Sequence, residues 1–218
     1  MQFNPIQTEL TTAATDLLLV LAALYGTFRL RPYRLVDAWK VDIWSVLLLS
    51  LATASLLAAV AHGLVLNDAV SGWLWRFIYL CLGLVVSSFV VAAIYDLRGR
   101  RVAIRALPLV AAVVLLFFLM VQFMDGSFMP FIIFEGVAMC FALFVYGYLG
   151  SQDRQDGERW IAAGIGMSIV AVLIQAFRWG GFTFIWQFDH NSAYHLIQLL
   201  GLFSIILGLN KIFLAEKT

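Results

Sequence analysis

Seven apolar runs decide what this chain can fold into. Each is close to the ~20 residues a helix needs to cross the hydrocarbon core of a bilayer. They lie near residues 11–28, 43–66, 73–95, 106–123, 128–149, 160–177 and 192–214. Strands of a transmembrane barrel would be shorter and would alternate apolar with polar residues. Composition agrees with helices in lipid. Hydrophobic residues make up 63% of the 218-residue chain and charged residues only 12%, against roughly 25% charged in a soluble domain. The mean hydropathy is +0.93. The predicted fold is all-α, a single seven-helix transmembrane bundle over 1–218, because the connections are short and no soluble segment or repeat interrupts it.

The charges orient the bundle. The 29–42 connection carries Arg29, Arg31, Arg34 and Lys40, and the 96–105 connection carries Arg98, Arg100, Arg101 and Arg105. Arg154 and Arg159 follow between helices 5 and 6, with Lys211 and Lys217 at the C-terminus. The alternate connections 67–72 and 124–127 hold no Lys or Arg. Cytoplasmic loops carry the excess of Lys and Arg, so the N-terminus is expected outside and the C-terminus in the cytoplasm. Trp73, Trp75, Trp179 and Trp186 then mark the outer interface, with Trp39, Trp44 and Trp160 at the inner one. The expected location is a multi-pass membrane protein, in the inner membrane if the cell is bacterial. No Lys or Arg occurs in the first 28 residues, so the basic region of a cleavable signal peptide is missing. Net charge is +1, which gives no basic field for nucleic acid. Cys81 and Cys140 lie inside apolar runs and read as buried small side chains.

On this topology the unusual polar residues gather in the outer third. His62 lies four residues short of the end of helix 2, Asp16 opens helix 1, and Arg76 opens helix 3. Glu135 lies roughly 10 Å below the outer boundary of helix 5 by helix rise, and Gln175 is near the outer end of helix 6. Asp68, Asp189 and His190 fall in outer connections, and His195 is one turn into helix 7. The inner half holds little beyond Ser55, Ser87, Ser88 and Ser168. Ionisable groups in a membrane usually face the bundle interior or a wet cavity, so a polar pocket opening outward is predicted. Asn191, His195, Gln198 and Leu202 step by four, three and four and share one helix face. His190, about 140° from His195 on an ideal helix, joins that face only from non-helical chain ahead of a cap at Asp189 or Asn191.

The three histidines of the chain at one depth match the ligand chemistry of zinc, which in catalytic sites takes three protein ligands and an open water position. His62, His190 and His195 are the candidate ligands. Asp68 and Glu135 are the candidate acid/base groups, and Asp189, Asn191, Gln198 and Arg76 are further pocket residues. Each has a plainer reading: an interfacial histidine hydrogen-bonded to a neighbouring helix, Glu135 kept neutral by burial or paired with Arg76, or Arg76 reaching for headgroups. Gly164 and Gly166 read as close-packing positions.

The histidine near the end of helix 2 and the segment Asn191-Ser192-Ala193-Tyr194-His195 opening helix 7 resemble the alkaline ceramidase and adiponectin-receptor (PAQR) superfamily. That resemblance implies a seven-helix fold, a zinc cofactor and hydrolysis of a lipid amide or ester entering from the bilayer. Asn191 stands where that family has its first helix 7 histidine. Ala58 replaces its serine one turn before the helix 2 histidine, and Asp68 is the nearest match to its helix 3 aspartate. These departures point to a second reading, a non-catalytic sensor, carrier or accessory subunit with a polar ligand pocket. A haem between His62 and His195 is a third. A retinal pigment is disfavoured, because Lys211 lies at the opposite end from the polar residues.

Overall fold

The computed structural model describes residues 2–123, 128–152, 156–179 and 181–217. It contains seven helices long and apolar enough to span a membrane. They are α1 (Gln7–Leu30), α2 (Ala38–Gly63), α3 (Asp68–Arg98), α4 (Arg100–Gln122), α5 (Met129–Ser151), α6 (Asp156–Phe177) and α7 (His190–Lys217). A short 3-10 turn, Arg31–Leu35, links α1 to α2, and a two-stranded hairpin, β1 (Phe182–Thr183) with β2 (Gln187–Phe188), links α6 to α7.

Most boundaries run past the hydropathy limits, and side-chain caps explain several of them. Asn67 accepts from the backbone N–H of Val70 at 2.9 Å and starts α3 five residues earlier than its apolar run. Asp37 does the same for Lys40 at the start of α2. The expected 96–105 connection shrinks to Gly99, whose φ of +78° turns the chain from α3 directly into α4. α2 stops at Gly63 rather than 66, because Leu64 and Val65 leave to pair with the N-terminal strap: Asn4 N–H donates to the Gly63 carbonyl and Val65 N–H to that of Gln2, both at 2.9 Å.

Packing neighbours form the closed ring α1–α2–α3–α5–α6–α7, with α7 returning to α1. α4 lies outside this ring on α3, burying only Ala103, Phe117 and Val121 and exposing Leu109, Leu115 and Leu116. One buried core centres on Trp44, Leu48, Tyr146, Ile165 and Phe213; a second, of Tyr79, Phe117, Phe131 and neighbours, fills the space between α3, α4 and α5.

The α6–α7 seam is set by glycine. A Cβ on Gly164 would sit 2.5 Å from the Gly201 carbonyl oxygen, and one on Gly208 would sit 2.5 Å from that of Gly157. Small residues allow such backbone approach between helices. Gly166, expected to do the same, has nothing within 4 Å and plays no part in the seam. Toward the N-terminal end the seam becomes polar: Ser168 Oγ donates to Gln198 Oε1 at 2.8 Å and Gln175 Nε2 to Asn191 Oδ1 at 2.7 Å.

Candidate functional site: a polar-mouthed cavity inside the helix ring

A cavity of about 710 Å³ occupies the middle of the ring at the end that carries the N-terminus. On α7 its lining runs from His190 to Ile205, about 22 Å along the helix axis at 1.5 Å per residue. Its mouth holds His62, Asp68, Arg76, Arg178 and His190, and its floor is made of residues such as Leu47, Phe89 and Ile205. Phe89 packs edge-on against Trp44, with ring centroids 5.3 Å apart, beneath that floor.

Two of the three histidines are held from α1. His62 Nδ1 lies 2.6 Å from Glu9 Oε2, and its ring stands edge-on to Trp75. His195 Nδ1 lies 3.0 Å from Thr15 Oγ1, while Nε2 faces Asp16 Oδ1 at 3.5 Å. The Thr15 hydroxyl already donates to the Thr12 carbonyl at 2.8 Å, so the proton in the His195 contact is that of Nδ1–H. Glu9, Thr12 and Asp16 recur at three and four residues, one stripe of a helix. That spacing was visible in sequence. Their partners, on α2 and α7, were not.

The other expected residues fall as follows. His190 is the first residue of α7, within the helix, and still lines the cavity. Asp68 is the first residue of α3, not part of a connection, and also lines it. Asp189 is turned away to cap α7, accepting from Ser192 N–H at 2.9 Å and from the Thr12 hydroxyl at 3.2 Å. Burial alone raises the Asp189 carboxyl, but the Ser192 and Thr12 hydrogen bonds and the neighbouring His190 outweigh it and hold the group below the usual carboxylate range. Asp16 is ten residues into α1 and 2% exposed, not at its opening. Arg76 does not pair with Glu135; its guanidinium lies over Trp73, 4.9 Å from the ring centroid.

Glu135 on α5 is 6% exposed and lines the cavity. Gln198 Nε2 donates to Glu135 Oε1 at 3.4 Å and to the Tyr194 hydroxyl at 3.2 Å. Glu135 makes no ion pair among the described residues. Trp75, Tyr79, Phe128 and Phe131 form a continuous aromatic wall, with successive centroids 6.2, 5.9 and 5.0 Å apart. Tyr194 and this wall had no place among the expected site residues, since an aromatic in an apolar run carries no mark of the cavity it borders.

The donor set does not fit a zinc ion as expected. Among the described residues no group of three or more His, Cys, Asp or Glu is arranged to hold a metal. His62 and His195 each answer to a different α1 carboxylate, Glu9 and Asp16.

The opposite end of the ring is more polar than the sequence indicated. Lys40, 5% exposed, lies 2.9 Å from Asp96 and 3.4 Å from Glu216. Tyr146 donates to Asp96 at 2.8 Å, and Tyr95 donates to Asp37. Lys40 and Asp96 sit in charged stretches that read as connections, so their burial was hidden.

A family model described as a family of unknown function, DUF6962, matches residues 11–213, nearly the whole bundle. The chain belongs to the DUF6962 family. Neither the curated proteins nor the solved structures give a match to it. The matched span takes in every cavity-lining helix of this DUF6962 protein, together with the 178–189 connection.

Proposed function

We propose that this DUF6962 protein is a non-catalytic seven-helix membrane receptor or carrier that binds a small amphipathic molecule within the helix ring. The observation that carries the reading is the cavity: about 710 Å³, polar at its mouth and apolar at its floor, within the 300–1,000 Å³ typical of small-molecule sites. The engagement of His62 by Glu9 and of His195 by Thr15, on separate turns of α1, supports binding over zinc-dependent hydrolysis. The bundle sits with its N-terminus and cavity mouth outside the cell and its C-terminus in the cytoplasm. Support for that orientation is the crowding of Arg and Lys at the other end, in Arg29–Arg34, Arg98–Arg105 and Lys211–Lys217. The stretch from Arg154 lies partly outside the described residues.

Native mass spectrometry of the detergent-released protein tests this reading. One small amphiphile per chain is expected on the wild type and none on Ala58→Trp, which fills the cavity from α2. Equal adducts on both proteins would place the bound molecules on the lipid-facing surface and refute the proposal.

A further inference from the structure

The chemistry lining the cavity narrows the ligand class. Glu135 is nine-tenths buried, lines the cavity, and has its Oε1 engaged only by a neutral amide. No hydrogen bond reaches its Oε2 among the described residues. Several of the other polar groups around the cavity are engaged within the protein. His195 faces Asp16, His62 faces Glu9, and Arg76 lies on Trp73. A carboxylate buried at this depth is costly in its ionised form, and a cationic partner is what would offset that cost. Facing the same space are four aromatic rings, Trp75, Tyr79, Phe128 and Phe131, whose faces attract cations. Beneath lie apolar residues with no hydrogen-bonding capacity, among them Met139, Leu202 and Ile205.

We propose that the cavity binds a small organic cation, an alkyl- or arylammonium, with its charged head between Glu135 and the aromatic wall and its apolar part on the floor. The ammonium group supplies the N–H donors that Glu135 can accept and the charge that the rings attract. A carboxylate or phosphate head at that depth would meet Glu135 with like charge, and a neutral alcohol would gain neither the ion pair nor the ring attraction. This inference rests on reading the cavity as a binding site.

The test uses the full chain in lipid nanodiscs, titrated with hexylammonium, hexanol and hexanoate against empty nanodiscs. Hexylammonium is expected to bind about tenfold or more tighter than hexanol, the gain from a charge-assisted contact in place of a neutral one. Hexanoate is expected to bind more weakly than either. In Glu135→Gln, which keeps the shape and the contact with Gln198, the preference for hexylammonium should fall to within about threefold. The wild-type ranking does not depend on how well that variant folds. Hexanol or hexanoate binding as tightly as hexylammonium, or an unchanged preference in Glu135→Gln, would overturn the cation assignment and leave the cavity as a binding site. No binding by any of the three would overturn both.

Discussion

Asp189 shows how single residues tie this bundle together. Its carboxylate caps α7 through Ser192 and reaches across to Thr12 on α1, so one side chain starts one helix and docks it on another. Because these bonds hold its folded pKa below the ordinary value, its contribution is complete above the usual carboxylate range and is lost as pH falls through the lower folded value. The thermal midpoint of the wild type should therefore drop between about pH 4 and more acid conditions. Asp189→Ala should cost about 1 kcal/mol at neutral pH and flatten that acid slope; an unaltered slope would show that Asp189 is not the group responsible. At this scale the sequence was half legible. His62, His195 and Glu135 stand out because they are rare letters in apolar runs. Gln198 shows through the helix face it shares with His195, but the partners Glu9 and Thr15 do not, since their contacts join residues 53 and 180 apart in the chain and no local pattern reports them.

Among the elements, α6 and α7 are the pair whose fit is set by backbone rather than side chains. A methyl on Gly164 meets the Gly201 carbonyl at 2.5 Å and Ile205 at 2.6 Å, so Gly164→Ala must push the helices apart, at about 1–3 kcal/mol. Gly166→Ala, two residues away with open space around it, should be neutral or stabilising by up to about 1 kcal/mol from helix propensity. Thermal unfolding of the two variants side by side checks this, and equal midpoints would mean that the seam is not close-packed. Helix count and order were legible, because hydropathy reports a span directly. The ends were not, because caps at Asn67 and Asp37 and the strap over Gly63 act on residues that hydropathy scores as connections. The same blindness hid the turn at Gly99, which leaves almost no connection where ten residues were expected.

Over the whole molecule, the ring is open at one end and tied at the other. Lys40 joins α2 to Asp96 on α3 and Glu216 on α7, and Tyr146 brings in α5. Buried as these groups are, Lys40→Met leaves Asp96 without its countercharge and should cost about 3 kcal/mol or more. Adding Asp96→Asn should recover part of that loss, which a comparison of the single and double variants by thermal unfolding would reveal. The tie lies at the end opposite the cavity, and the proposed binding role therefore requires a ligand to enter through the N-terminal mouth. The most direct measurement is therefore the labelling of a cysteine placed at Ser55, on the cavity wall two turns below His62, after Cys81 and Cys140 are changed to Ala. A membrane-impermeant thiol reagent should modify it on intact cells, more slowly when hexylammonium is present, while a cysteine at Lys217 should react only after lysis. Failure of the Ser55 position to react from outside, or its reaction only after lysis, would contradict a cavity open at the outer face.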